Sequence, residues 1–192
     1  MATQKVLHKY GTQLLFADHT TDFGAAPATA ANSLIIGTPT DVQMNLSVVA
    51  AAAAWESAKT ATLADTGTAW PIYWILGACL EHTATPVAGE TCEFYWNASP
   101  SVTAGTGNSG AASGTDASFA VAGLPQLTLI GVMTLRAAVV NIQAEVGRLW
   151  LPHLYGSLIF VNKSTKAMVA DATADEIHVT LTPVIEDLQA AA

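Results

Sequence analysis

The chain has 192 residues, of which only 11% are charged, with a net charge of −8 and an isoelectric point near 4.8. Its seven Lys and Arg residues, none of them between Lys59 and Arg136, cannot line a groove with the clustered positive charge that displaces counterions from nucleic acid. They offer as little to an anionic membrane surface, and no apolar run reaches the ~18–20 residues that span a bilayer.

One domain is the default at this length. The 51% hydrophobic content is inflated by 36 alanines, and Thr, Gly, Ser and Val make up much of the rest, which favours strands and turns over long helices. A surface so poor in charge is a coat of Ala, Thr, Ser and Gly, suited to lying against other subunits. The N-terminal MATQKVLHKYGTQLLF holds no apolar stretch of secretory type, so no export is expected. Cys79 and Cys92 then read as thiols, with a bridge left open because both fall on neighbouring strand candidates.

Residues 1–30 show no sustained period and read as an extended N-terminal arm, ordered by a partner if at all. Strand signals begin at Leu34-Ile35-Ile36. Beyond the turn at 37–40, Val42, Met44 and Leu46 alternate with Gln43, Asn45 and Ser47. The alanine-rich stretch 50–64 fits a helix by propensity, but its surroundings favour a strand. Residues 70–80, with Ile72, Tyr73, Trp74, Ile75 and Leu76, predict a buried strand; with 91–96 they are expected to form an antiparallel hairpin. The run NASPSVTAGTGNSGAASGTDAS over 97–118 predicts a flexible loop. Strands are further expected over 127–135, 137–144, 156–161 and 177–182, with Pro183 ending the last. The expected domain, 31–192, is an all-β antiparallel sandwich or jelly roll of about eight strands.

The chemistry-bearing motifs are sparse. Gly105-Thr-Gly107-Asn-Ser-Gly110 spells a dinucleotide fingerprint, but the mechanism requires a strand before it and a helix after it, and its flanks are loop-like. His8, His19, His82, His153 and His178 show no metal-ligand spacing. The acidic residues Asp171, Asp175, Glu176, Glu186 and Asp187 lack the pattern of a calcium loop. No nucleophile elbow occurs, and Glu81 with Glu93 is a carboxylate pair only if their strands face each other. No catalytic residue, cofactor or metal site is therefore expected. Trp70 and Trp150, near prolines at presumed loop edges, are interface candidates because large amphipathic rings make strong anchors. His153 beside Trp150 joins them, as do the arm aromatics Phe16 and Phe23.

Several stretches together resemble the head decoration, or cement, proteins of tailed bacteriophages. They are Trp70-Pro-Ile-Tyr-Trp-Ile-Leu-Gly-Ala78, Thr85-Pro-Val-Ala-Gly-Glu-Thr91, the glycine- and alanine-rich loop ending at Thr115-Asp-Ala117, and Tyr155-Gly-Ser-Leu-Ile-Phe-Val-Asn162. The closing Ile177-His-Val-Thr-Leu-Thr-Pro-Val-Ile-Glu-Asp187 completes the set, and the likeness spans residues 45–188. The resemblance implies a jelly-roll-like, non-enzymatic virion protein, assembled in the host cytoplasm and seated on the outer capsid surface. Its expected partner is the major capsid protein, its expected state a homotrimer, and it touches neither nucleic acid nor membrane. A phage tail or head–tail connector component, or a carbohydrate-binding sandwich, are the alternative readings.

Overall fold

Eleven strands form among the described residues of the computed structural model, which are 5–20, 30–61, 63, 70–151, 155–169 and 177–189. They are β1 (Lys5–Tyr10), β2 (Leu14–Ala17), β3 (Thr40–Gln43), β4 (Ala54–Glu56), β5 (Tyr73–Glu81), β6 (Thr91–Ser99), β7 (Ala117–Phe119), β8 (Thr128–Thr134), β9 (Val140–Leu149), β10 (Tyr155–Asn162) and β11 (His178–Gln189). Only short 3-10 turns interrupt them, of which Val121–Gln126 is the longest. One sheet runs β3-β2-β11-β5-β9, with β1 also paired to β11; the other runs β7-β4-β10-β6-β8. Every pairing is antiparallel except β2 with β3. The protein is an all-β two-sheet sandwich.

The period-2 geometry of a strand places alternate residues on one face, and the inward set builds the core. Trp74, Leu76, Ala78 and Leu80 of β5 and Val179 and Leu181 of β11 meet Phe94 and Trp96 of β6 and Leu158 and Phe160 of β10. The Phe94 and Phe160 rings tilt together at 5.5 Å. The unbroken burial along β10 and over 178–185 of β11 is explained by cover on their outer faces as well. Ile159 and Val161 pack under Ala112, Phe119 and the 3-10 turn at 121–126, while residues 33–36 lie over the other sheet and bring Ile35 onto Leu15 and Ala17. One side of the sandwich is pinched where β8 and β9 approach. A Cβ at Gly147 would stand 2.5 Å from the Ile130 carbonyl oxygen, so the approach needs glycine there.

Several expectations are corrected. Part of the arm expected over 1–30 is sheet: β1 and β2 pair with β11, and Leu14 and Phe16 enter the core. Leu14-Leu-Phe-Ala17 is buried on both faces, a run too short to show a period. These two strands and the three-residue β7, none of them expected, raise the count from about eight to eleven. Residues 34–36 lie across the sheet instead of joining it, and among the described residues of the 50–64 stretch only 54–56 are strand. The hairpin expected from 70–80 and 91–96 does not form, because β5 and β6 belong to opposite sheets. Cys79 and Cys92 are buried and not joined by a disulfide, and Glu81 and Glu93 stand on different sheets.

Pro183 does not end its strand. The Gly11 N–H donates to the Pro183 carbonyl, and a residue in an antiparallel ladder points its N–H and C=O to the same neighbour. The missing donor of Pro183 therefore faces the break at residues 11–13 between β1 and β2, where no ladder partner is lost.

Candidate interaction surface

The antiparallel register that sets Trp74 opposite Leu149 brings the start of β5 and the end of β9 to one end of the sheet. Trp70 leads into the first strand and Trp150 follows the second, half and two-thirds exposed respectively. Tyr10, at the end of β1, reaches the same region because it pairs with Val184, which also pairs with Tyr73. Ile72 and Leu7 add exposed apolar surface there.

Arg148 organises this surface. Its guanidinium lies 5.5 Å from the centre of the Tyr73 ring, a cation–π distance. It also donates to both carboxylate oxygens of Glu145, at 2.6 and 3.1 Å. Those hydrogen bonds hold the Glu145 carboxyl below the usual carboxylate range and raise the Arg148 value. Both groups are open to solvent, so the pair orients the side chains more than it stabilises the fold.

Beside the cluster runs a groove of about 340 Å³ between the sheet and the overlying residues 33–36. Gln13 fastens that segment: its Nε2 donates to the Leu34 carbonyl and to Thr182 Oγ1, and its Oε1 accepts from the Ile36 N–H. His178 Nε2 accepts from the Leu34 N–H, so the ring nitrogen there carries no proton.

The glycine-rich loop is a second constellation, and its partners make it structural. It is expected to be flexible, yet it is bound from both sides. The buried Glu56 carboxylate accepts from the N–H and hydroxyl of Ser113, the Gly114 N–H and the Ser157 hydroxyl, all at 2.7–2.9 Å. Lys59 Nζ donates to Ser99 Oγ and to the carbonyls of Thr103 and Thr106. Partial burial pulls the Lys59 value down, against the opposing influence of Glu56. Asp116 closes the loop by accepting from the Asn45 N–H and from Trp55 Nε1. Gly105, Gly107 and Gly110 adopt left-handed backbone, and β7 follows them instead of a helix, so the dinucleotide-like spacing has no nucleotide-binding context.

Of the sequence-derived interface candidates, Trp70 and Trp150 come together at one end of the sheet. Phe16 is fully buried in the core, a placement at odds with a surface role. His153 and Phe23 lie outside the described residues, as do Asp171, Asp175 and Glu176. Tyr10, Tyr73 and Arg148 escaped the sequence reading, since nothing local marks residues that only strand pairing brings to one place. Glu93 is engaged by the Tyr95 hydroxyl and Lys163, and no cluster of three His, Cys, Asp or Glu side chains arranged for a metal occurs among the described residues. No protein-family model matches the chain, and neither a curated protein nor a solved structure matches it.

Proposed function

We propose that this chain is a non-enzymatic structural protein of a tailed-phage virion. In this reading it sits on the outer capsid surface as a trimeric, jelly-roll-like decoration protein and clamps neighbouring copies of the major capsid protein. The observation that carries the reading is the set of exposed Trp70, Trp150, Tyr10 and Arg148, with the half-buried Tyr73, at one end of a sandwich otherwise poor in charge. Trp, Tyr and Arg dominate the energetics of protein interfaces, where charge is depleted at the centre. The likeness of residues 45–188 to decoration proteins supplies the choice of partner.

A second reading has an observation of its own. Exposed tryptophans at one end of a β-sandwich also suit stacking against sugar rings, which favours a carbohydrate-binding protein.

One experiment separates the two. Capsids of the phage that carries the chain are sedimented with the purified protein and with a variant bearing Trp70→Ala and Trp150→Ala. The intact chain is expected to pellet with the shell. The variant should melt at the same temperature and bind at least ~30-fold more weakly, as loss of two anchors of ~1 kcal/mol or more each requires. A chain that ignores capsids while its tryptophan fluorescence responds to a glycan panel overturns the decoration reading in favour of sugar binding.

A further inference from the structure

We propose that the groove beneath residues 33–36 is a binding site for a small uncharged molecule with an aliphatic body and a carbonyl or hydroxyl oxygen. The groove can serve this role with or without a capsid partner, so it does not rest on the decoration reading.

The sheet builds the groove in three parts. Val179 and Leu181 point into the core, so Thr180 and Thr182 face the other way, onto the groove floor. Between Leu76, opposite Gly147, and Ala78, opposite Gln143, β5 spends one residue and β9 three. That bulge makes Ala144 and Glu145 one wall, with residues 33–36 as the other. The lone residue facing the bulge is Gly77. A Cβ there would stand 2.8 Å from Thr180 Oγ1, 3.0 Å from the Ala144 carbonyl oxygen and 3.2 Å from Leu34 Cδ1. Glycine keeps open the space on which floor and walls converge, as mid-strand glycines do where a ligand comes close to the backbone.

One group on the floor calls for a ligand. Thr180 is only 2% exposed, yet its hydroxyl has no hydrogen-bond partner among the described residues. A buried hydroxyl left unpaired is costly, and a ligand oxygen or amide that pairs with it removes that cost. Two residues on, Thr182 Oγ1 accepts from Gln13 Nε2 and keeps its own proton to give.

The walls select the rest of the molecule. Leu34, Ile36, Ile75 and Ala144 offer aliphatic surface. Among the lining residues Glu145 alone is charged, and Arg148 already occupies both of its carboxylate oxygens. A cation finds that charge taken, and an anion meets a carboxylate. The volume of about 340 Å³ lies at the small end of ligand pockets.

The test titrates hexanamide, hexanoate and hexylammonium into the full chain, followed by methyl and amide NMR. The three probes share an alkyl chain and differ in the charge of the head group. Hexanamide is expected to bind with a Kd of roughly 1–10 mM, as ligand efficiency allows for about eight non-hydrogen atoms, and to shift Leu34, Ile36, Ile75 and Thr180. Both ions should bind at least ~10-fold more weakly. Thr180→Val keeps the side-chain shape and removes the hydroxyl. It should melt no lower than the parent, since no protein group loses a bond, and hold hexanamide roughly 5-fold more weakly. Gly77→Ala fills the floor and should abolish binding; should it fail to fold, Thr180→Val decides alone. The site is overturned by the absence of a saturable shift, by shifts confined to Trp70 and Trp150, or by an ion that binds as well as the amide. A Thr180→Val protein that binds as tightly as the parent, or that is less stable than it, overturns the part given to the hydroxyl and the site with it.

Discussion

At the residue scale, the least ordinary side chain is His82. It is fully buried just after β5, and no well-formed hydrogen bond satisfies either ring nitrogen. Burial pushes its value below the ordinary 6.5, and the Val139 carbonyl and the Glu90 carboxylate offset only part of that. A histidine depressed in the folded state binds its proton more readily when unfolded. Its share of stability is therefore complete above the unfolded value near 6.5 and drains away as pH falls below it, by at most ~1.4 kcal/mol per pH unit. His82→Leu removes this dependence and leaves no polar group stranded. The variant is expected to match or exceed the parent's stability at pH 7.5 and to lose less on acidification to pH 5. Urea titrations of both proteins at the two pH values measure the difference, and parallel losses would dismiss the role given to His82. Cys92 is the opposite case: burial raises its thiol to about 12, which keeps it protonated and poorly reactive.

At the element scale, the glycine-rich loop shows what composition hides. Residues 97–118 contain no large aliphatic side chain beyond Val102, and by composition alone they have nothing to bury. Their order comes from polar groups far away in sequence, chiefly Glu56, which binds main-chain donors 57 and 58 residues downstream. Removing its charge leaves those donors and Ser157 with a weaker acceptor, so Glu56→Gln is expected to cost about 2–4 kcal/mol in urea denaturation. Loop cleavage by a nonspecific protease should become faster in the same variant. An unchanged midpoint and cleavage rate would show that the loop holds without this carboxylate.

The same contrast governs what was legible in advance. Strands β8 and β11 announced themselves by alternation, and β5, β6 and β10 by dense aromatic and aliphatic runs, and the sandwich followed from them. Sheet membership did not, since local pattern carries no record of which strand a residue faces. That is why 70–80 and 91–96 looked like a hairpin. In the interaction surface, Trp70 and Trp150 stood out by residue type alone, whereas Tyr10, Tyr73 and Arg148 became neighbours only through pairing between distant strands. Phe16 misled for a related reason, because an aromatic in a low-complexity segment looks unemployed until its strand is known.

At the scale of the whole molecule, the N-terminal residues divide into two parts with different duties, and truncation separates them. Leu7, His8, Lys9 and Tyr10 of β1 are all exposed, so a chain beginning at Gly11 keeps every described core side chain. That protein is expected to fold cooperatively, with a midpoint a few degrees below the parent's. A chain beginning at Asp18 also loses Leu14 and Phe16 from between the sheets, together with the Gln13 bonds that fasten residues 33–36. Truncating one buried Phe costs about 3–5 kcal/mol and one buried Leu about 2–5. Their sum, before any lost backbone pairing, matches the 5–15 kcal/mol that holds a typical domain together. The shorter chain is expected to be unfolded or aggregated, with no cooperative transition by calorimetry. If it melted like the parent, the first two strands would be an appendage of the sandwich after all. If the chain beginning at Gly11 failed to fold, β1 would have to be part of the folding unit. A folded chain from Gly11 and a failed fold from Asp18 would place the edge of the folding unit at the break where Gly11 meets Pro183.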